Sequence, residues 1–143
     1  MRATLFLMLV WWAAAAGADL ASVKAEPNAE KRSELALQVA GEALDASKAA
    51  WRQGDASTFQ TKLEEVGAAA ELCLSSLHDT GKPPYKLVKW YKKAELSTRE
   101  LSRKLEGFAQ EASLDERPAI QKVTERVQTV HEELLLGVLS RKK

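Results

Sequence analysis

Apolar residues recur at helical spacing in four long stretches of this chain, and this repetition limits the fold more than any other feature of the sequence. The stretches cover about residues 29–52, 55–78, 84–112 and 114–140. In each of them the apolar positions follow one another three or four residues apart, which places them on one face of an α-helix. We therefore predict four amphipathic helices, with Leu63, Leu101 and Val127 among the central buried residues.

Residues that stop or start helices separate the four stretches. Gly54 tolerates the left-handed conformation that often follows a helix, and Asp55 offers an N-cap oxygen to the next one. The segment 79–84 combines glycine with two prolines and cannot continue a helix. Ser113 and Glu116 have the spacing of a capping box, which predicts that the fourth helix begins just after Ser113.

The matched lengths of the four stretches predict how they assemble. Helices of this size extend about 36 to 43 Å at 1.5 Å per residue. Short links join the first helix to the second and the third to the fourth, which favours antiparallel neighbours. The predicted fold is all-α, an up-down-up-down four-helix bundle over residues 30–143. Two hairpins that open into a dimer are the alternative.

The N-terminus has the pattern of a secretory signal peptide. Arg2 precedes an uncharged apolar run over residues 4–16, and Ala16-Gly17-Ala18 provides the small residues of a cleavage site. The apolar run is shorter than the roughly 20 residues of a transmembrane helix. We predict a signal peptide over residues 1–18, a flexible leader over 19–29 and export to a periplasmic or extracellular location. An uncleaved membrane anchor is the alternative.

Composition and motifs argue against several classes of function. The 21 basic and 20 acidic side chains nearly cancel, so nothing draws the chain to nucleic acid. Neither His78 nor His131 has the Glu-x-x-His spacing of di-iron bundles, and His131 is expected at the edge of its apolar face. Cys73 is the only cysteine; we expect it to be buried, and an intermolecular disulfide or a reactive thiol is the alternative. We predict no catalytic residues, no metal site and no cofactor.

A basic stripe is predicted on the third helix. Four lysines follow one another at i, i+4, i+7 and i+11, with two aromatic residues close by: Lys82, Lys86, Lys89 and Lys93, together with Tyr85 and Trp90. Lysines near a helix N-terminus oppose the helix dipole, so helix stability does not explain them. Such a face suits an anionic membrane or polymer. A solvated face whose aliphatic stems cover apolar surface is the plainer interpretation.

A second apolar face is predicted where the first helix begins and the fourth ends. Leu35 and Val39 lie opposite the core face of the first helix, and Leu135 and Leu139 lie off that of the fourth. These four residues either pack on one another or form an exposed interface for a partner or a second copy.

Together these features predict a non-enzymatic module that acts through its helix faces. The partner is an unidentified protein or a second copy of the chain. The alternative is a peripheral protein that binds an anionic surface weakly through the lysines and aromatic residues of the third helix.

Overall fold

The computed structural model describes residues 19–141, and this part of the chain is helical throughout, without a β-strand. The prediction of an all-α fold is therefore confirmed. The helices are α1 (Leu20–Lys24), α2 (Ala29–Arg52), α3 (Ala56–His78), α4 (Val88–Glu111) and α5 (Arg117–Leu139), and a 3-10 turn, Pro84–Lys86, precedes α4. The predicted signal peptide, residues 1–18, lies outside the described residues.

Side-chain caps fix the starts of α2 and α3. The Asn28 side chain accepts a hydrogen bond from the Lys31 amide at 2.8 Å, and the Asp55 side chain accepts one from the Thr58 amide at 3.1 Å. The hydrogen bonds from Thr58 lower the pKa of the Asp55 carboxyl. Gly54 has a φ of 74°, which a residue with a side chain adopts only with strain. The turn between the two helices thus follows the sequence signals.

The structure differs from the prediction of a flexible leader over residues 19–29. This segment contains the short helix α1, whose N-cap Asp19 accepts a hydrogen bond from the Ser22 amide. Val23 is only 2% exposed and belongs to the core, and α1 contacts both α2 and α3. One helical turn is too short to show a repeating apolar pattern, so periodicity missed it.

The third and fourth predicted helices begin later than expected. Leu87 leaves the helical conformation, so the 3-10 turn and α4 are separate elements. At the predicted capping box, the Ser113 hydroxyl donates to the Glu116 carboxylate at 3.0 Å, and the Trp51 indole N–H donates to the same carboxylate. Glu116 therefore links α2 to the α4–α5 turn, and α5 begins at Arg117.

Contacts between named residues define how the four long helices are arranged. Near the start of α2, Arg32 bonds Ser76 and Asp79 at the end of α3, so these two helices are antiparallel. The start of α2 is also tied to the start of α4, where Lys93 pairs with Glu34. These two helices therefore run parallel.

The remaining contacts complete the arrangement. α4 packs against α5 and α5 against α3, whereas α2 and α5 do not contact each other within residues 19–141. Every long helix thus has two principal neighbours. The pairs joined by short turns, α2 with α3 and α4 with α5, are antiparallel. The segment 79–87 leads from α3 to α4, which packs mainly against α2 and α5.

An aromatic cluster closes the core at the end of the molecule where α2 and α4 finish. Phe108 is fully buried and meets the rings of Trp51 and Phe59 edge-on, at centroid distances of 5.5 and 5.9 Å. Elsewhere the core consists of aliphatic and small side chains together with Tyr91, and the predicted central residues Leu63, Leu101 and Val127 are all buried.

Candidate interaction surfaces

The predicted basic stripe is not one continuous helix face. Lys82 lies in the loop before the 3-10 turn and Lys86 ends that turn, so only Lys89 and Lys93 belong to α4. Lys93 pairs with Glu34, and the Lys82 ammonium lies 3.5 Å from the Glu30 carboxylate. The outer two of the four lysines therefore pair with carboxylates of α2.

The inner part of this surface keeps its positive charge. Lys86, Lys89 and the neighbouring Lys92 are exposed and form no ion pair within residues 19–141. Tyr85 and Trp90 are half-buried, and Trp90 packs against the core. The Lys89 ammonium lies 5.8 Å from the centroid of the Trp90 ring, in cation–π range.

The four residues of the predicted apolar interface do not form one surface. Val39 is only 2% exposed because it packs into the core, and Leu35 is half-buried against that core. Leu135 is half-buried and Leu139 is exposed, but both lie on α5, which does not contact α2. The α2 and α5 residues share one end of the molecule without sharing a face.

A groove runs between α2 and α4, which are parallel neighbours. Its first stretch has a volume of about 270 Å³ and its second about 330 Å³, and the two share Leu37 and Ser97. Trp90 and Leu96 add apolar surface, and Leu96 is 53% exposed. The Glu34–Lys93 pair bridges the first stretch, and Glu100 and Lys104 line the second. The groove is an elongated apolar strip with polar edges.

The structure also shows a buried charge cluster that the sequence analysis missed. Glu95 of α4 is 3% exposed, and its carboxylate accepts hydrogen bonds from Arg99 and from Nε2 of His131 at 3.0 Å. Because an ionised carboxylate only accepts, the His131 ring carries a proton on Nε2. His131 is half-buried at the edge of α5. One signal was present: Glu95 follows Tyr91 by four residues on the core face of its helix.

Two opposing effects set the acidity of Glu95. Burial alone would raise the pKa of its carboxyl, but the hydrogen bonds from His131 and Arg99 outweigh this, and the pKa lies below its ordinary value of 4.5. Glu95 is therefore charged at neutral pH, and it joins α4 to α5. Its two partners, Arg99 and His131, line a shallow polar groove together with Arg103, Gln128 and Glu132.

Within residues 19–141, no three His, Cys, Asp or Glu side chains come together in a way that could hold a metal ion. Cys73 is fully buried, and this burial raises the pKa of its thiol to about 12. A thiol of that pKa is almost entirely protonated at neutral pH, which makes it a weak nucleophile.

Comparison with protein-family models, with curated proteins and with solved structures found no match for this chain. Among the helices of the described part, none is both long enough and apolar enough to cross a bilayer.

Proposed function

We propose that the chain is an exported, non-enzymatic module that folds as a four-helix bundle and binds a protein partner through the groove between α2 and α4. Helix directions alternate along the chain, as in an up-down-up-down bundle, and each long helix has two principal neighbours. The groove carries the proposal, because it combines exposed apolar side chains with a polar rim. An amphipathic helix of a partner would lay its apolar face into such a groove.

Export is the second part of the proposal. The apolar run over residues 4–16 and the small residues before Asp19 support it. Asp19 caps α1, so cleavage after Ala18 would leave every capping contact of the folded part in place. We expect intact-mass analysis of the exported protein to give an N-terminus at Asp19. A secreted or envelope-bound product that still begins at Met1 would overturn the cleavage.

A non-enzymatic role agrees with the chemistry of the groove. Its lining offers Leu37, Leu96 and the Trp90 ring, with serine hydroxyls and one ion pair at the edges. Catalysis needs a nucleophile, acid or base whose geometry and pKa suit a reaction. Neither the thiol of Cys73, which is enclosed, nor the carboxylate of Glu95, which is already satisfied by two donors, supports such a role.

Site-specific photo-crosslinking tests the groove. A crosslinking residue replaces Gln38, an exposed groove residue, or Gln60, an exposed residue of α3 that serves as the matched control. In cells that produce the protein we expect one discrete adduct from position 38 and none from position 60. Leu96→Gln should weaken that adduct because it removes exposed apolar surface from the groove. Equal labelling from both positions, or an adduct unaffected by Leu96→Gln, would exclude the groove as the binding site.

A second candidate function is peripheral binding to an anionic surface. One observation favours it: Lys86, Lys89 and Lys92 are exposed side by side at the start of α4 without carboxylate partners in the described part of the chain. Lys86, Lys89 and Lys92 do not line the groove, but Lys89 lies against its Trp90 ring, so the two candidate surfaces are neighbours on α4.

A further inference from the structure

The contact between Glu95 and His131 fixes the register of α4 against α5. On α4, Glu95 follows Lys92 by three residues and Val88 by seven, so all three lie on one side of the helix. On α5, Leu135 and Leu139 follow His131 by four and eight residues and share its side in the same way. Since the helices are antiparallel, Val88 and Lys92 lie alongside Leu135 and Leu139 on the outer surface.

We call this shared surface, together with the neighbouring Leu136, the basic-apolar end. Several of its apolar side chains are exposed to solvent. Leu136 and Leu139 are 68% and 66% exposed, and Val88 is 41% exposed. Contiguous exposed apolar side chains usually mark an interaction site. Three of the five large apolar residues that are exposed in residues 19–141 are thus gathered at this one end.

Cations surround these apolar side chains. Lys86, Lys89 and Lys92 lie on the α4 side, and Arg141 follows the end of α5; all four are exposed and unpaired within the described residues. The sequence continues with Lys142 and Lys143. The 3-10 turn that contains Lys86 contacts α5, the helix that Arg141 follows.

The carboxylates at this end cancel the cations only in part. On α5, Glu132 and Glu133 are exposed, and Glu132 lines the polar groove with Arg99, Arg103 and His131. On α2, Glu30 and Glu34 are engaged by Lys82 and Lys93. Four unpaired cations thus face the two unpaired carboxylates of α5, so the basic-apolar end keeps a net positive charge for an outside partner.

We propose that the basic-apolar end docks on an anionic lipid bilayer, which gives the second candidate function its surface. Leucine side chains enter the boundary between headgroups and acyl chains, while lysines bind the anionic headgroups. A second copy of the chain fits less well, because a two-fold contact would bring together two surfaces that both carry a net positive charge. The inference rests on anionic-surface binding and adds which residues carry it.

Vesicle co-sedimentation of the mature chain tests the proposal. The vesicles are phosphatidylcholine alone or phosphatidylcholine with phosphatidylglycerol, each at low and at physiological salt. We expect binding only to the anionic vesicles, and weaker binding at the higher salt. A triple variant replaces the unpaired lysines by glutamine: Lys86→Gln, Lys89→Gln and Lys92→Gln. Its partitioning into anionic vesicles at low salt should fall about a hundredfold, because each lysine near an anionic membrane contributes about 1 kcal/mol of binding free energy. Leu136→Gln with Leu139→Gln should reduce it at both salt concentrations.

Two controls separate the possible failures. The control variant loses the same number of positive charges, but at positions far from the basic-apolar end: Arg52→Gln, Lys104→Gln and Lys122→Gln. Its vesicle binding should stay within about twofold of wild type. Circular dichroism melts establish that each variant is folded. Binding that survives in the Leu136/Leu139 variant, or is lost equally in the control, overturns the basic-apolar end while retaining anionic-surface binding. If the wild-type protein does not bind anionic vesicles at low salt, both anionic-surface binding and the basic-apolar end as its site are overturned.

Discussion

Gly137→Ala is expected to lower the free energy of unfolding by about 2–3 kcal/mol, because a methyl group at this position has no space. The Tyr91 ring lies directly against Gly137, and a Cβ there would overlap ring atoms. Tyr91 is itself 3% exposed, so it cannot swing into solvent without leaving the core. On helix propensity alone, alanine would be favoured over glycine by about 1 kcal/mol, so the clash has to exceed that gain.

Gly107→Ala is the matched control for this substitution. Gly107 is also inside a long helix, but a Cβ there would meet nothing within 4 Å. We expect this variant to be as stable as wild type or up to about 1 kcal/mol more stable. Urea melts of the two variants and of the Tyr91→Leu/Gly137→Ala double variant measure the effect, and the double variant should lose less than the sum of its single changes. A Gly137→Ala protein as stable as wild type would show that the ring is free to move.

The sequence predicted the helices better than it predicted their neighbours. The first long helix was expected over residues 29–52, and α2 has these bounds. The bounds of a helix depend on residues three and four positions apart, so one continuous stretch of sequence holds the information that predicts them. Residues 113–117 were harder, because Trp51 binds the Glu116 carboxylate from a different helix, and no local pattern reveals such a partner.

The positions of Leu35 and Leu139 show the limit of periodicity most clearly. An apolar pattern indicates which face of a helix turns inward but not which helix it meets. The segment 79–87 carries the chain from α3 across to α4, so α2 lies beside α4 and does not contact α5. Residues expected to form one interface are therefore on helices that are separated in space, and the register of α4 against α5 puts Leu139 level with the start of α4 instead.

Gly137 and Glu95 illustrate signals that were present in the sequence but small. A glycine inside a helix costs about 1 kcal/mol relative to alanine, and at Gly137 the packing of the Tyr91 ring explains it. A lone glutamate on a core face needs partners before it can be buried. The sequence could not show that His131, 36 residues away, would supply one of them.

The buried Glu95 carboxylate gives the second large effect that we expect. His131→Leu removes the Nε2–H donor and leaves Glu95 with Arg99 alone, in a position that is 3% exposed. Losing a hydrogen bond to a buried charged group costs about 1.5–3 kcal/mol, and the free energy of unfolding at neutral pH should fall by that amount. Glu95→Gln is the matched variant, since an amide of the same shape keeps a hydrogen-bond acceptor without the charge.

The dependence on pH distinguishes this explanation from a loss of packing. The pKa of Glu95 is lowered in the folded protein, so ionised Glu95 stabilises the fold above its ordinary pKa of 4.5. That contribution is lost as the pH falls through the lowered value. Urea melts at neutral pH and at about pH 3 should therefore show a larger loss of stability for wild type than for Glu95→Gln. The penalty of His131→Leu should shrink over the same range, because a protonated Glu95 no longer needs the donor. A penalty for His131→Leu that stays constant with pH would instead assign the effect to the packing of the imidazole ring.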